Sequence, residues 1–261
     1  MTPVAVVTGA ARGIGAATVH GLVAAGWDVT AVDRADDDPR LPYKMGSSAD
    51  LQAVVEEAGR DAVTPAVADA AQHLALLEVV QQAEARHGRV DAVIAAAGVV
   101  AGGVPLWEMP VAQQEAVLEV NLLGALVAAR VGIPALLRRP VPRDGRFIAV
   151  ASTAASRGLP MLAVYCAAKA GVVGMVRALG VELRGTGVTA NAVSPGSTRT
   201  EILTESARLY GLASAEEFAL QQPIERLLEP AEVAALIVWL AGPGGASCTG
   251  ADLPIDGGLS L

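Results

Sequence analysis

The stretch VAVVTGAARGIG, residues 4–15, decides the fold. Val4 to Thr8 is a short apolar run, and it reads as a buried strand. Gly9, Gly13 and Gly15 then punctuate a turn, and Ala16 to Ala25 reads as a helix that stops at Gly26. Glycines between a strand and a helix let the backbone turn sharply and approach a bound group closely. The N-terminus of the following helix favours an anion there. Three residues stand between the first two glycines where the common dinucleotide fingerprint has one, so this is a variant of that fingerprint. Trp27 to Asp33 is again strand-like and completes a βαβ unit.

The same rhythm continues along the chain. Strands are predicted at 63–69, 90–98, 145–152, 188–195 and near Ala251 to Ile255, with helices at 71–87, 111–138, 162–184 and 230–241. Strands alternating with helices predict a doubly wound parallel sheet of about seven strands, an α/β Rossmann fold. No linker divides residues 1–261, so a single domain is expected. Two segments break the rhythm. Residues 34–62 are polar and longer than a simple connection, and residues 196–229 form a long insertion where such folds place substrate-binding structure.

Composition narrows the function. Hydrophobic residues make up 52% and aromatics only 3%, so the core must be built from Ala, Val, Leu and Ile. Net charge is −8 with no Lys/Arg cluster, which argues against nucleic acid as a partner. No uncharged apolar run reaches the ~18 residues of a membrane span. The N-terminus carries no basic, apolar leader pattern. Cys166 and Cys248 make neither a metal spacing nor a disulfide framework, and a cytoplasmic protein without a metal is expected.

Several residues carry candidate chemistry. Asp33 ends the second strand, where a carboxylate would accept hydrogen bonds from the adenosine ribose and repel a 2′-phosphate, favouring NAD over NADP. Arg34 beside it complicates this, because a guanidinium could hold that phosphate. Asp69 is either an adenine contact or a helix N-cap. Ser152 falls at a predicted strand end. Thirteen residues on, Tyr165 and Lys169 in VYCAAKAG (164–171) are one helical turn apart, so a phenol and an ammonium share one face. A lysine there would lower the phenol's pKa and let it act as a base. Asn121 is an amide in an otherwise apolar helix. His20, His73 and His87 read as surface residues. Trp107, Met109, Met161, Leu209, Tyr210 and Phe218 are candidates for a mostly apolar substrate pocket.

TGAARGIG, Asn121, Ser152, YCAAK (165–169), NAVSPGSTRT (191–200) and PIDGG (254–258) together resemble the short-chain dehydrogenase/reductases over essentially the whole chain. The resemblance implies a catalytic tetrad of Asn121, Ser152, Tyr165 and Lys169. Tyr165 would be the acid/base, and Ser152 would bind the substrate oxygen. Lys169 would hold the nicotinamide ribose, and Asn121 a proton-relaying water. For the cofactor it implies Gly9, Arg12, Gly13, Ile14, Gly15, Asp33, Asp69, Ala97, Gly98, Tyr165, Lys169, Pro195, Gly196, Thr198 and Thr200. It further implies a homotetramer. One departure is AAAG at 95–98, where the family usually has an amide-bearing Asn-Asn-Ala-Gly. More narrowly, the Asp33-Arg34 ending, the polar insertion, AAAG, VAGGVPLWE (100–108), YCAAK and NAVSPGSTRT together resemble the mycofactocin-associated subfamily, which implies tightly held NAD and mycofactocin as electron acceptor. The expected function is NAD(H)-dependent hydride transfer with a small hydrophobic secondary alcohol or ketone. The alternatives are a 3-oxoacyl carrier-protein reductase and a catalytically silent dinucleotide sensor.

Overall fold

The computed structural model describes residues 1–261. Seven strands form one parallel sheet: β1 (Val4–Thr8), β2 (Asp28–Asp33), β3 (Val63–Val67), β4 (Ala92–Ala95), β5 (Gly145–Val150), β6 (Val188–Pro195) and β7 (Asp252–Ile255). Their order is β3-β2-β1-β4-β5-β6-β7. The chain therefore winds outward from β1 to β3, returns to the centre, and continues from β4 on the other side. The reversal between β1 and β4 opens a crevice at the strands' C-terminal ends, where ligands bind in such sheets.

Helices cover both faces. One face packs α3 (His73–His87), α5 (Gly124–Arg138) and α6 (Ala163–Glu182) around Val93, Phe147 and Ala149. The other packs α1 (Gly13–Ala24), α2 (Ser48–Ala58) and α8 (Pro230–Ala241) around Val7, Ile94 and Ile148. Small side chains set this spacing: a Cβ on Gly132 would lie 2.8 Å from Val93 Cγ2, so α5 rests directly on the sheet. The stretch 111–138 and α6 are long and apolar enough to cross a bilayer by length and composition. Both pack against the sheet.

Several expected boundaries shift. β3 ends at Val67, two residues short of Asp69, and β4 covers only 92–95 of the expected 90–98. The expected helix 111–138 is α4 (Val111–Leu118), a π turn at Glu119–Leu123 and then α5. The polar insertion is not irregular throughout. It contains α2, opened by a reciprocal cap between Ser47 and Asp50, and S-x-x-D before an apolar run is the signature that announces it. The later insertion likewise holds α7 (Glu201–Leu209), capped by Thr200. The histidines are half-buried, not surface residues, and His87 Nδ1 stands 3.5 Å from Asp28.

Candidate active site

A cavity of about 570 Å³ occupies the crevice. Every residue expected to bind a cofactor lines it, as do Ser152, Tyr165 and Lys169 of the expected tetrad. Asn121 does not; it lies buried behind the wall.

At one end stands the glycine loop. Gly9 takes φ +68° and Gly13 takes φ +57°, the left-handed region that side chains resist. A Cβ on Gly9 would lie 2.6 Å from Ala97 Cα, and one on Gly15 would lie 1.9 Å from the Gly9 carbonyl oxygen. The loop therefore closes only with glycine. Arg12, at the N-cap of α1, makes no side-chain cap, and the first turn carries no acidic residue. The first-turn N–H groups of α1 have no intrahelical acceptor and open onto the cavity, which suits a pyrophosphate.

Asp33 ends β2 beside this loop. Its two oxygens accept from the N–H groups of Ala11 at 3.0 Å and Ala35 at 2.9 Å, which fixes the carboxylate at the cavity wall. Arg34 turns away to Asp38, at 3.1 Å, and to the Asp37 carbonyl. Its guanidinium thus already has a carboxylate partner, although Arg34 lines the cavity. Asp69 lines the cavity and also accepts from Ala71 N–H at 2.9 Å, so it terminates a turn while facing the crevice. The AAAG departure is compensated in part by Thr8. Its hydroxyl accepts from the N–H groups of Ala96 and Ala97 at 3.2 and 3.4 Å.

The other end lies three strand spacings away, roughly 14 Å. Ser152 follows β5 and opens the short turn Thr153–Ala155, accepting from Ala154 N–H at 3.1 Å. Tyr165 and Lys169 sit one turn apart on α6, with Lys169 Nζ 5.7 Å from the centre of the phenol ring. Nζ donates to the Val150 carbonyl at 2.9 Å, so the ammonium is tied to the sheet. Asn121 lies on the π turn. Its amide donates to the carbonyls of Val99 and Val117 at 2.8 and 2.9 Å, and its Oδ1 accepts from Val99 N–H at 3.3 Å. It clamps the loop after β4. A Cβ on Gly98 would lie 3.1 Å from Asn121 Oδ1 and 3.7 Å from Lys169 Nζ, so glycine lets these three meet.

The electrostatics correct one expectation. Lys169 does not lower the Tyr165 pKa here. Burial pushes the phenol up to about 12, and the Ser152 hydroxyl pulls weakly the other way. Burial also pushes Lys169 down to about 8. At neutral pH the pair is thus a phenol beside an ammonium, an arrangement ready to donate a proton.

Residues 34–47 form a strap along the cavity. Arg40 binds Asp38 and, at 2.6 Å, Glu119 of the π turn. The Tyr43 hydroxyl accepts from Val100 N–H at 2.9 Å, and Arg12 donates to the Lys44 carbonyl at 2.9 Å. Leu41, Tyr43 and Met45 pack on the same apolar cluster as Tyr165. Sequence reading missed this strap, because only long-range contacts reveal it. Of the expected substrate residues, only Tyr210 and Phe218 line the cavity. Trp107 and Met161 are exposed, and Met109 is buried beneath the strap.

The comparisons agree with this architecture. Residues 9–260 match the family model described as enoyl-(acyl carrier protein) reductase. The chain belongs to the short-chain dehydrogenase/reductase family. It is 30% identical to 2-dehydro-3-deoxy-L-rhamnonate dehydrogenase (NAD(+)) of Sphingomonas sp. (strain SKA58), covering 97% of this chain and 94% of the relative. It is 34% identical to cis-4-hydroxycyclohexanecarboxylate dehydrogenase of Sinomonas cyclohexanicum, covering 98% and 96%. Among solved structures, carveol dehydrogenase from Mycobacterium avium in complex with NAD superposes with a TM-score of 0.92 at 26% identity, covering 98% and 97%.

Proposed function

We propose that the chain is an NAD(H)-dependent oxidoreductase that interconverts a mostly apolar secondary alcohol and its ketone. The observation that carries this reading is one cavity joining an uncapped helix N-terminus to Ser152, Tyr165 and Lys169. A silent sensor would need the first half of that cavity and not the second. Asp33, fixed toward the cavity, and Arg34, engaged by Asp38, support NAD over NADP. Gly9, Gly13, Gly15 and the first turn of α1 would seat the pyrophosphate, and Asp33 the adenosine ribose. Lys169, Pro195, Gly196, Thr198 and Thr200 would seat the nicotinamide end. When bound, the nicotinamide supplies or accepts the hydride.

The chain's own residues handle the proton. Ser152 donates a hydrogen bond to the substrate oxygen. Tyr165 gives its phenolic proton to that oxygen in reduction and takes it back in oxidation. Lys169 keeps its amine beside the phenol, tied to the Val150 carbonyl. Asn121 keeps the loop after β4 in register with Lys169. Leu159, Leu162, Leu212 and Phe218 make the substrate end mostly apolar.

The strap supports slow cofactor exchange, because it is tied to the glycine loop, the loop after β4 and the π turn at once. Re-oxidation in place by an external acceptor such as mycofactocin follows from such retention. A homotetramer is supported by Leu118, Leu123 and Leu126, which stay exposed on α4, the π turn and α5. A reducing cytoplasm suits two free cysteines. Tyr165→Phe tests the core of the reading: turnover should fall at least about a hundredfold while NAD still binds. A variant with wild-type rates would refute it.

A further inference from the structure

Three guanidiniums stand on the cavity wall: Arg12, Arg34 and Arg157. Arg12 faces Glu201 at 3.9 Å, and Arg34 binds Asp38 at 3.1 Å. Arg157 alone has no carboxylate within 4 Å, in a chain whose net charge is −8. Its protein hydrogen bond runs from Nη1 to the Leu259 carbonyl. Nε and Nη2 are left without protein partners, and these two N–H groups form one edge of the guanidinium. That edge matches the two oxygens of a carboxylate.

Position gives this edge its meaning. Arg157 follows Ser152 by five residues, on the loop that leads into α6, and it is exposed at the cavity's rim. Leu159, Leu162, Leu212 and Phe218 line the same cavity as Ser152 and Arg157. The far end carries Asp33, Asp36 and Asp69, whose charge would repel an anion. A molecule with a hydroxyl near Ser152, an apolar body and an anion at its other end would meet a complementary group at each point.

We propose that Arg157 is a specificity residue that pairs with a substrate carboxylate, so that the substrates are hydroxy acids and oxo acids with an apolar, ring-sized body. This rests on the alcohol dehydrogenase reading of the same cavity. The carboxylate takes no part in bond-making. It fixes which end of the substrate enters first and so which hydroxyl reaches Tyr165.

The test separates anion recognition from chemistry. Cyclohexanecarboxylate and cyclohexanecarboxamide, which carry no hydroxyl, are titrated by calorimetry into the NAD-loaded protein at low ionic strength. The wild type should bind the carboxylate about tenfold more tightly than the carboxamide, as expected of a charged, two-point hydrogen bond at a partly wet site. In Arg157→Gln the preference should vanish while carboxamide binding stays unchanged. In Arg157→Lys part of it should return, and added salt should erode it. A merely structural tie to Leu259 would weaken both ligands together. Equal binding by the wild type, no binding of either ligand, or a preference that survives in Arg157→Gln overturns the proposal. The enzyme reading is scored separately, by nucleotide reduction with 3-hydroxycyclohexanecarboxylate and its methyl ester. A carboxylate preference in binding with no reduction by either compound would sink the enzyme reading and keep the anion site. Equal kcat/KM for acid and ester would do the reverse.

Discussion

Replacing Lys169 with methionine should reveal how much the buried ammonium destabilises the fold. Lys169 is 4% exposed, and burial lowers its pKa from the ordinary 10.5 to about 8. That drop corresponds to about 3 kcal/mol of differential stability. The sign is set by where the proton leaves. Below pH 8 the lysine is charged in both folded and unfolded chains, and the folded state bears the full desolvation cost. Between 8 and 10.5 the folded chain loses its proton first, so stability rises with pH. Above 10.5 both forms are neutral and the cost is gone. Methionine fills similar space without titrating. It also loses the 2.9 Å bond to the Val150 carbonyl, an effect nearly constant with pH. The difference in unfolding free energy, wild type minus variant, should therefore climb by about 3 kcal/mol from pH 7 to pH 11. Tyr165, near 12 when folded and near 10 when unfolded, is present in both proteins and so cancels from the difference. Urea unfolding of both proteins at four pH values, at one fixed protein concentration, measures it. A difference flat with pH would show that Lys169 keeps an ordinary pKa, and the account of its burial would be wrong.

Other perturbations have equally direct readouts. Asn121→Ala removes three buried hydrogen bonds to the Val99 and Val117 backbone, which should destabilise the protein by about 3 kcal/mol in denaturant titration. Arg40→Ala cuts the tie between the strap and Glu119 and weakens the hold on buried Asp38; exchange of labelled NAD into the intact protein should accelerate at least about tenfold, as expected for loss of a charged contact. Gly15→Ala places a methyl against the Gly9 carbonyl oxygen and should abolish NAD binding, seen as loss of co-purified or titrated nucleotide. Asp33→Ser should weaken NAD and narrow its advantage over NADP when the two KM values are compared.

Much of this fold is legible in the sequence. The glycine loop announced β1 and α1 because strand, turn and helix each need different residue types. The apolar strands were equally plain, since parallel strands are buried on both faces. The meeting of Ser152, Tyr165 and Lys169 on one cavity was legible from YCAAK and the strand end before it. Two helices were missed, α2 and α7, because each is short and lies in a polar stretch that reads as loop. Their caps, Ser47 with Asp50 and Thr200, were the available signals. The Tyr165 pKa was misjudged because burial sums over many distant residues, while a four-residue spacing shows only one neighbour. Arg157 had no local mark at all. Its meaning comes from Leu259, about a hundred residues away, and from the acids it does not meet.

Direct hydride transfer between a secondary alcohol and bound NAD is tested most closely by isotope transfer. The purified protein would be incubated with cyclic secondary alcohols and hydroxy acids carrying deuterium on the carbinol carbon, then denatured. Mass spectrometry of the released nucleotide reads the result, whether or not NAD exchanges. The account predicts reduced NAD one mass unit heavier than its unlabelled form, present in wild type and absent in Tyr165→Phe. Ketone product alongside unlabelled nucleotide would contradict it.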